Sequence, residues 1–229
     1  MRDDPGPSFR EEARRLQEVV ARYAAGQEPA DTSGLRTVGG ADVSYEGDNA
    51  CACVVVMEYG SLRERTRAAA TSKAKFPYVP GYFAFREIPA ILAALRLVPE
   101  LPDLFLVHGH GYAHPKRAGI ATHLGVLLDV PTIGVAGNLL SGMEADAPPD
   151  IRGATSPVTM GGEVVGSLLR TCRNKAPLCV SPGFRTTLPE AISIVLHCTT
   201  DHRFPEPLHL ADRCAGRFRK EVYRENEKR

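Results

Sequence analysis

The order of apolar segments along the chain constrains its fold most strongly. Segments with strand character come first, and short apolar runs bounded by turn residues then alternate with helical patterns. The predicted strands lie at residues 36–45, 50–58, 62–71, 104–107, 132–135, 162–170 and 178–181, and the predicted helices at 85–97, 120–128 and 188–197. Consecutive strands followed by alternating strands and helices predict an α/β fold, with a mixed β-sheet flanked by helices.

The two ends of the chain are expected to differ from each other. Residues 8–25 have the pattern of an amphipathic helix, for which Ser8 is a suitable N-cap with Glu11 three positions later. The apolar stripe of this helix is expected to contain Leu16, Val19, Val20 and Tyr23. The basic tail after Arg217 is expected to fray, so that a single domain of residues 1–229 has its core at about 36–210.

The composition is that of an ordinary globular protein. The 229 residues are 43% hydrophobic and 24% charged, with a formal net charge of +1, which suits one soluble domain. A protein that coats nucleic acid non-specifically would be far more basic, so any duplex contact must come from local basic clusters. The N-terminal residues are charged, so neither a signal peptide nor a membrane span is predicted, and a cytoplasmic monomer is expected.

The cysteines are expected to be reduced thiols. Six are present without a C-x-x-C pair, so a zinc site built from cysteines alone is not predicted. Cys51 and Cys53 point to the same face of a predicted strand, where they are expected to act as small buried apolar residues. Reduced thiols agree with a cytoplasmic protein.

Residues 76–81, with the sequence F-P-Y-V-P-G, hold an aromatic ring between two prolines. Pro77 and Pro80 fix their own φ angles and bias the residues before them towards extended geometry, so Tyr78 lies on a stiff loop. A rigid, presented ring can insert between stacked bases at little cost in ordering. The alternative is a turn that buries Tyr78 in the core. We call residues 76–81 the wedge loop.

Further motifs occur in a fixed order around the wedge loop. They are G-G-A-D-V-S-Y at 39–45, F-R-E at 85–87, V-H-G-H-G at 107–111, A-H-P at 113–115, G-I-A-T-H-L-G at 119–125, P-T-I-G-V-A at 131–136 and P-E-P at 205–207. In this order and spacing the chain resembles endonuclease V. That family nicks DNA or RNA near deaminated purines, chiefly inosine, on a ribonuclease H-like fold, and the resemblance implies the same fold and substrate class here.

The resemblance also implies a set of site residues. Asp42, Glu87 and His108 would converge to hold a divalent metal, Mg²⁺ or Mn²⁺, and all three would be catalytic. His114 stands where the family places a histidine that helps to position the scissile phosphate. The residues expected to bind nucleic acid are Pro77, Tyr78, Pro80, Gly81, Gly109, Gly111 and Lys116. The two glycines at 109 and 111 would let a flipped base approach the backbone closely.

Three positions depart from the family pattern. His108 replaces an aspartate, Gly137 replaces a lysine and Phe184 replaces a histidine. Fewer carboxylates imply weaker Mg²⁺ binding and cleavage, while an imidazole suits softer divalent metals such as Zn²⁺, Mn²⁺ or Fe²⁺. His108 could instead be an acid/base group without a metal. The alternatives to a divergent nuclease are a non-cleaving binder of deaminated nucleic acid and an enzyme acting on a small molecule.

Overall fold

The computed structural model describes the backbone of residues 6–227 and the side chains of residues 9–222 and 224. Its strands are β1 (Thr37–Glu46), β2 (Asn49–Glu58), β3 (Glu64–Lys73), β4 (Leu104–His108), β5 (Thr132–Ala136), β6 (Thr155–Met160), β7 (Glu163–Leu169) and β8 (Leu178–Phe184). Within the described residues they form one sheet, in the order β3-β2-β1-β4-β5-β8-β7-β6.

Helices cover both faces of this sheet. They are α1 (Gly6–Ala25), α2 (Phe83–Leu95), α3 (Ile120–Leu128), α4 (Leu188–His197) and α5 (Glu206–Glu227). On one face α2 and α3 pack through apolar residues such as Ile91 and Leu124, and α1 lies against α3. On the other face α4 and α5 pack through Val195, Leu208 and Ala211. The predicted α/β fold with a mixed sheet is therefore confirmed.

The three central strands determine where a site can form. Strands β1, β4 and β5 run parallel, with Ala41 paired to Val107 and Val107 paired to Gly134. Their carboxyl ends therefore meet at one edge of the sheet, which we call the carboxyl edge. Strand β8 is antiparallel to β5, and its Phe184 pairs with Thr132 at the start of β5. Phe184 consequently lies at the opposite edge.

Helix α5 crosses β1 at unusually close range. A Cβ atom on Gly40 would lie only 2.3 Å from the backbone of Pro207, so no larger residue fits at this crossing. The contact fixes the start of α5 above β1, and the next turns of the helix run past Asp42. Asp212 is thereby brought to the carboxyl edge.

The structure corrects two expectations about α1. The helix begins at Gly6, so Ser8 lies within it and is not the N-cap. Three residues of the expected apolar stripe remain about half exposed: Leu16, Val19 and Tyr23. Val20 is buried as expected, and it shares the buried face of α1 with Ala13 and Gln17.

The end of the chain is also more ordered than predicted. The basic segment after Arg217 does not fray at that point, because α5 continues to Glu227. Strand β6 was not predicted, since its sequence T-S-P-V-T-M contains a proline and little apolar alternation. Among the residues described here, no helix is both long enough and apolar enough to span a membrane.

One cysteine expectation is wrong. Cys53 on β2 forms a disulfide with Cys214 on α5, with 5.9 Å between their Cα atoms. Cys51 is buried and keeps a free thiol, as expected. The sequence could not reveal the pair, because 161 positions separate its members. The disulfide fastens α5 to the sheet two residues beyond Asp212.

Candidate active site

A cavity of about 480 Å³ opens at the carboxyl edge of the sheet. Its lining includes the end of the wedge loop, the start of α2, and residues 136–140 at the end of β5 and just beyond it. The carboxylate and imidazole side chains that line it are those of Asp42, Glu87, His108, His110, His114 and Asp212. Apolar side chains, including Val43, Phe83, Leu139 and Leu140, line much of the remainder. A concave, largely apolar site with a few convergent polar groups is typical of a binding or catalytic pocket.

His108 and Asp42 contact each other directly at the base of the cavity. His108 Nδ1 lies 2.7 Å from Asp42 Oδ1, and the imidazole packs edge-on against Phe204 with ring centroids 4.9 Å apart. Burial alone would lower the pKa of His108. The hydrogen bond to the Asp42 carboxylate and the negative charges of Asp42 and Asp212 outweigh burial and raise the pKa.

Glu87 approaches the same place from α2. Its side chain is buried, and Tyr45 Oη donates a hydrogen bond to Glu87 Oε1 at 3.3 Å. Burial and the charge of Asp42 raise the pKa of Glu87 well above its ordinary value. The guanidinium of Arg86 lies 4.6 Å from the centre of the Tyr45 ring and holds that ring in place. The sequence-predicted residues Asp42, Glu87 and His108 are therefore brought together around one cavity.

Asp212 joins Asp42, Glu87 and His108 at the cavity, and the sequence analysis did not identify it. It projects from α5 into the cavity, and burial together with the nearby Asp42 carboxylate raises its pKa. The sequence carries only a weak signal for Asp212, which is its place beside the buried stripe of α5. Leu208, Ala211 and Ala215 form the buried stripe of that helix, and Asp212, which is itself exposed, adjoins this stripe.

The donor chemistry of this group fits a divalent metal. Desolvation, and then the charge of Asp42, raise the pKa values of Glu87 and Asp212, so a cation between these carboxylates would relieve their repulsion. Three carboxylates with one imidazole suit Mn²⁺ as well as Mg²⁺. Within residues 6–227, however, no three His, Cys, Asp or Glu side chains are already arranged to hold an ion. His108 is turned onto Asp42, and Glu87 onto Tyr45. Metal binding therefore requires these side chains to rearrange.

The wedge loop presents Tyr78 at the rim of the cavity. The side chain is 59% exposed and its ring meets Phe83 edge-on at 6.1 Å, which excludes the alternative of a tyrosine buried in the core. The start of the loop is held in place by residues of α2. Phe76 is buried against Phe85, and Arg86 Nη1 donates to the Phe76 carbonyl at 2.6 Å.

His114 supports the other end of the wedge loop. Its Nδ1 accepts a hydrogen bond from the Lys116 backbone amide at 3.1 Å, so Nε2 carries the proton and donates to the Gly81 carbonyl at 3.0 Å. Neither ring nitrogen is left for a phosphate in this structure. In this structure His114 therefore holds the Gly81 carbonyl, and its expected role at the scissile phosphate stays a prediction.

The remaining predicted residues divide into two groups. Pro80, Gly81 and Gly109 line the cavity, and Gly109 has a φ of +143° that other residues rarely adopt. Gly111 is not at the cavity, because its Cα packs against the Pro182 backbone, where a Cβ would lie 2.1 Å from the carbonyl oxygen. Two further predicted residues lie outside the cavity lining: Pro77 and Lys116. Lys116 Nζ is 3.2 Å from Glu18 on α1.

The three departures from the family pattern differ in position. His108 lies at the cavity base, and Gly137 lies at its wall, where a Cβ would be 3.6 Å from Phe204 and 3.7 Å from Arg203. Phe184 is buried at the opposite edge of the sheet and stacks on Tyr23 with ring centroids 6.2 Å apart. Of the three departures, Phe184 therefore lies away from the cavity, as a residue of the core.

Comparisons with known proteins identify related sequences and structures. The sequence profile of the family described as Endonuclease V matches residues 17–213. A curated Endonuclease V from Roseiflexus sp. (strain RS-1) is 46% identical, over 95% of this chain and 96% of the relative. The crystal structure of Endonuclease V from Streptomyces avermitilis is 40% identical, with a TM-score of 0.87 over 93% of this chain and 94% of its own. Ciona intestinalis Endonuclease V, solved in complex with a 24mer DNA containing an inosine followed by a ribo-adenosine, is 29% identical, with a TM-score of 0.80 over 94% of this chain and 99% of its own.

Proposed function

This chain belongs to the endonuclease V family, and we propose that it binds DNA or RNA strands containing inosine and hydrolyses a nearby phosphodiester bond. The reaction is metal-dependent, and it is slow with Mg²⁺ because the centre lacks one carboxylate and one lysine of the family pattern. Inosine stands here for deaminated purines in general.

This proposal rests on the observation that Tyr78 and a set of acidic residues line the same cavity. Tyr78 is exposed, and it lines the same cavity as Asp42, Glu87 and Asp212. A stacked aromatic beside a cavity is what a protein needs to hold a strand open and take in a displaced base. The relative from Ciona was solved with inosine-containing DNA, which supports the same ligand class for this chain.

The side chains have separate tasks in the proposed reaction. Tyr78 stacks in the space that the displaced base vacates, and Gly109 leaves room for a nucleotide against the backbone. Asp42, Glu87 and Asp212, with His108, would hold a divalent metal, which when bound activates the attacking water and stabilises charge on the phosphate. The apolar wall around Leu139 and Leu140 excludes bulk water from this place.

The weakened reaction follows from the local charge. His108 supplies a neutral donor or a cation in place of a carboxylate, which reduces the negative charge available to a metal. No cation projects from Gly137. The nearest one is Arg203, whose guanidinium already donates to the carbonyls of Gly137, Ala176 and Pro177 at 2.8–2.9 Å. These bonds leave it poorly placed to contact a phosphate.

A strand-nicking assay tests the proposal. Single-stranded DNA, duplex DNA and RNA, each with one inosine, are compared with matched strands without it, in Mg²⁺ and in Mn²⁺. We expect inosine-dependent nicking that is faster in Mn²⁺, and a loss on the order of 10²-fold in Asp42→Asn. Asp48→Asn is the matched control, because Asp48 is exposed in the β1–β2 turn. Fast nicking in Mg²⁺ would contradict the weakened centre.

A second candidate, an inosine-selective binder that does not cleave, is favoured by the contact between His108 and Asp42. Two side chains that satisfy each other do not need a metal, and the described residues hold no ready three-ligand cluster. Under this alternative no strand is nicked in either metal. Inosine-selective binding, measured at one fixed salt concentration, would then persist in Asp42→Asn.

A further inference from the structure

Gln17 is a buried polar side chain that the proposed reaction does not use. It lies on α1, far from the sequence motifs, and is 2% exposed. Its Nε2 donates a hydrogen bond of 2.6 Å to the carbonyl of Gly81, and the side chain also lines the cavity. A buried amide of this kind is costly unless it is hydrogen-bonded, so its single long-range partner decides where the wedge loop can lie.

The carbonyl of Gly81 is held from two sides. Gln17 donates to it from α1, and His114 donates to it through Nε2 at 3.0 Å. Gly81 has a φ of +83°, and the amide of Tyr82 closes a turn onto the Val79 carbonyl at 3.0 Å. Since Pro80 restricts the backbone just before Gly81, fixing this one carbonyl fixes the direction of the rigid segment that carries Tyr78.

Helix α1 runs alongside the wedge loop from one end of the loop to the other. Phe9 packs on Phe76 with ring centroids 5.1 Å apart, and Gln17 meets Gly81 about two turns later. Eight residues of helix span about 12 Å. Glu18, the neighbour of Gln17, is 3.2 Å from Lys116 Nζ, so α1 also contacts the segment that carries His114. The helix therefore supports the loop at both ends.

We propose that Gln17 is a positioning residue that sets the wedge loop and thereby the selectivity for inosine-bearing strands. The effect on the loop is independent of the proposed function, whereas the effect on selectivity rests on it. Gln17→Met keeps the length and shape of the side chain but removes the donor. The Gly81 carbonyl then has only His114, and the loop samples more directions.

The loop is measured first, in the absence of nucleic acid. The chain contains no tryptophan, so Tyr78→Trp supplies a single reporter on the loop. We expect the Gln17→Met, Tyr78→Trp protein to show faster anisotropy decay and more acrylamide quenching than Tyr78→Trp alone. Gln27→Met in the same background is the matched control, because Gln27 follows the end of α1 and does not line the cavity. Identical anisotropy decay and quenching in all three proteins would overturn the proposal.

Selectivity is measured next, with the native Tyr78. Dissociation constants for an inosine-bearing strand and its unmodified match are compared at one salt concentration. For Gln17→Met, the loss of one hydrogen bond predicts about a fivefold lower affinity for the inosine-bearing strand, with little change in affinity for the unmodified strand. A loosened loop with unchanged selectivity would show that Gln17 does not set recognition. If the parent protein does not prefer inosine, the proposed function fails, while the loop measurement still decides the role of Gln17.

The parent protein provides a test that needs no folded variant. Gln17 and Gln27 are the only glutamines, so ¹⁵N-glutamine labelling gives two side-chain amide pairs. The Gln17 pair should exchange slowly with solvent, whereas the Gln27 pair should exchange freely. Fast exchange of both pairs would contradict the hydrogen bond on which the proposal depends.

Discussion

At the scale of single residues, His108, Phe204 and Gly137 form one contiguous group. The ring of Phe204 packs on His108 and would lie 3.6 Å from a Cβ at position 137. A substitution at His108 or at Gly137 therefore alters the surroundings of the other residue. Phe184 does not belong to this group, because it is buried at the opposite edge of the sheet against α1 and α3. A histidine there would bury an imidazole in an apolar site.

The double substitution His108→Asp with Gly137→Lys should restore Mg²⁺-dependent nicking. The aspartate rebuilds the anionic group, and a lysine fits at 137 because its Cβ would meet only ordinary contacts of 3.6–3.9 Å. We expect a gain on the order of 10²-fold in Mg²⁺ over the parent. His108→Asp with Gly60→Lys is the control, since Gly60 is open to solvent between β2 and β3. An equal gain in the control would show that charge near the phosphate is not what is missing.

His123 makes the stability of the protein depend on pH. Burial, and then the nearby His114, lower its pKa from 6.5 to about 4, and its Nδ1 has no hydrogen-bond partner. Between these values the unfolded chain binds the proton more readily than the folded one, so stability falls as the pH drops below about 6.5. From pH 7 to pH 5 this histidine should cost about 1–2 kcal/mol.

Denaturant unfolding of His123→Leu at pH 7 and pH 5 checks this expectation. The variant should lose less stability on acidification than the parent, although part of the loss remains because burial also lowers the pKa of His110 to about 4. His197→Leu, at an exposed position, is the control and should behave like the parent. An unchanged loss in His123→Leu would show that this histidine is not the acid-sensitive group.

At the scale of elements, α5 depends on the Cys53–Cys214 disulfide as well as on packing. The buried stripe of α5 consists largely of small residues, which bury little apolar surface each. Reduction should therefore lower the free energy of unfolding by about 3–5 kcal/mol, given the long loop that the bond closes. The measurement is denaturant unfolding with and without reductant.

The matched control for the disulfide is the double variant Cys53→Ala, Cys214→Ala, which should unfold at the same denaturant concentration with and without reductant. Alkylation of the unfolded, unreduced parent should label Cys51, Cys172, Cys179 and Cys198 and leave the bonded pair unlabelled. Labelling of all six cysteines would contradict the bond and return the chain to the reduced thiols expected from its sequence.

The same small residues explain why α5 escaped prediction. The sequence after 206 contains many arginines and lysines, and its inward stripe of Leu208, Ala211, Cys214 and Ala215 has little hydrophobic contrast. The strongly apolar segments were predicted well. Helices α3 and α4 have the predicted bounds, and β4 and β5 extend one residue beyond them. The local sequence pattern predicts an element where apolar residues dominate. It fails for α5, where small residues allow a close crossing with the sheet.

At the scale of the whole molecule, the meeting of Asp42, Glu87 and His108 could not be derived from sequence spacing. It depends on the parallel pairing of β1 with β4 and on the passage of α2 over the hairpin, both of which join distant segments. The family resemblance supplied that expectation. Asp212 and Gln17 lay outside the motifs that carried the resemblance, so neither was identified. Only the folded chain shows that both line the cavity.

The position of α5 in the chain has a consequence for protein synthesis. Every strand, the wedge loop and α2 leave the ribosome before Glu206 does, yet Asp212 is held over Asp42 only after α5 has crossed Gly40. A nascent chain interrupted before that crossing carries Tyr78 and most of the cavity but not the complete acidic group. Translation itself thus delays assembly of the candidate nuclease centre until the last helix has been made.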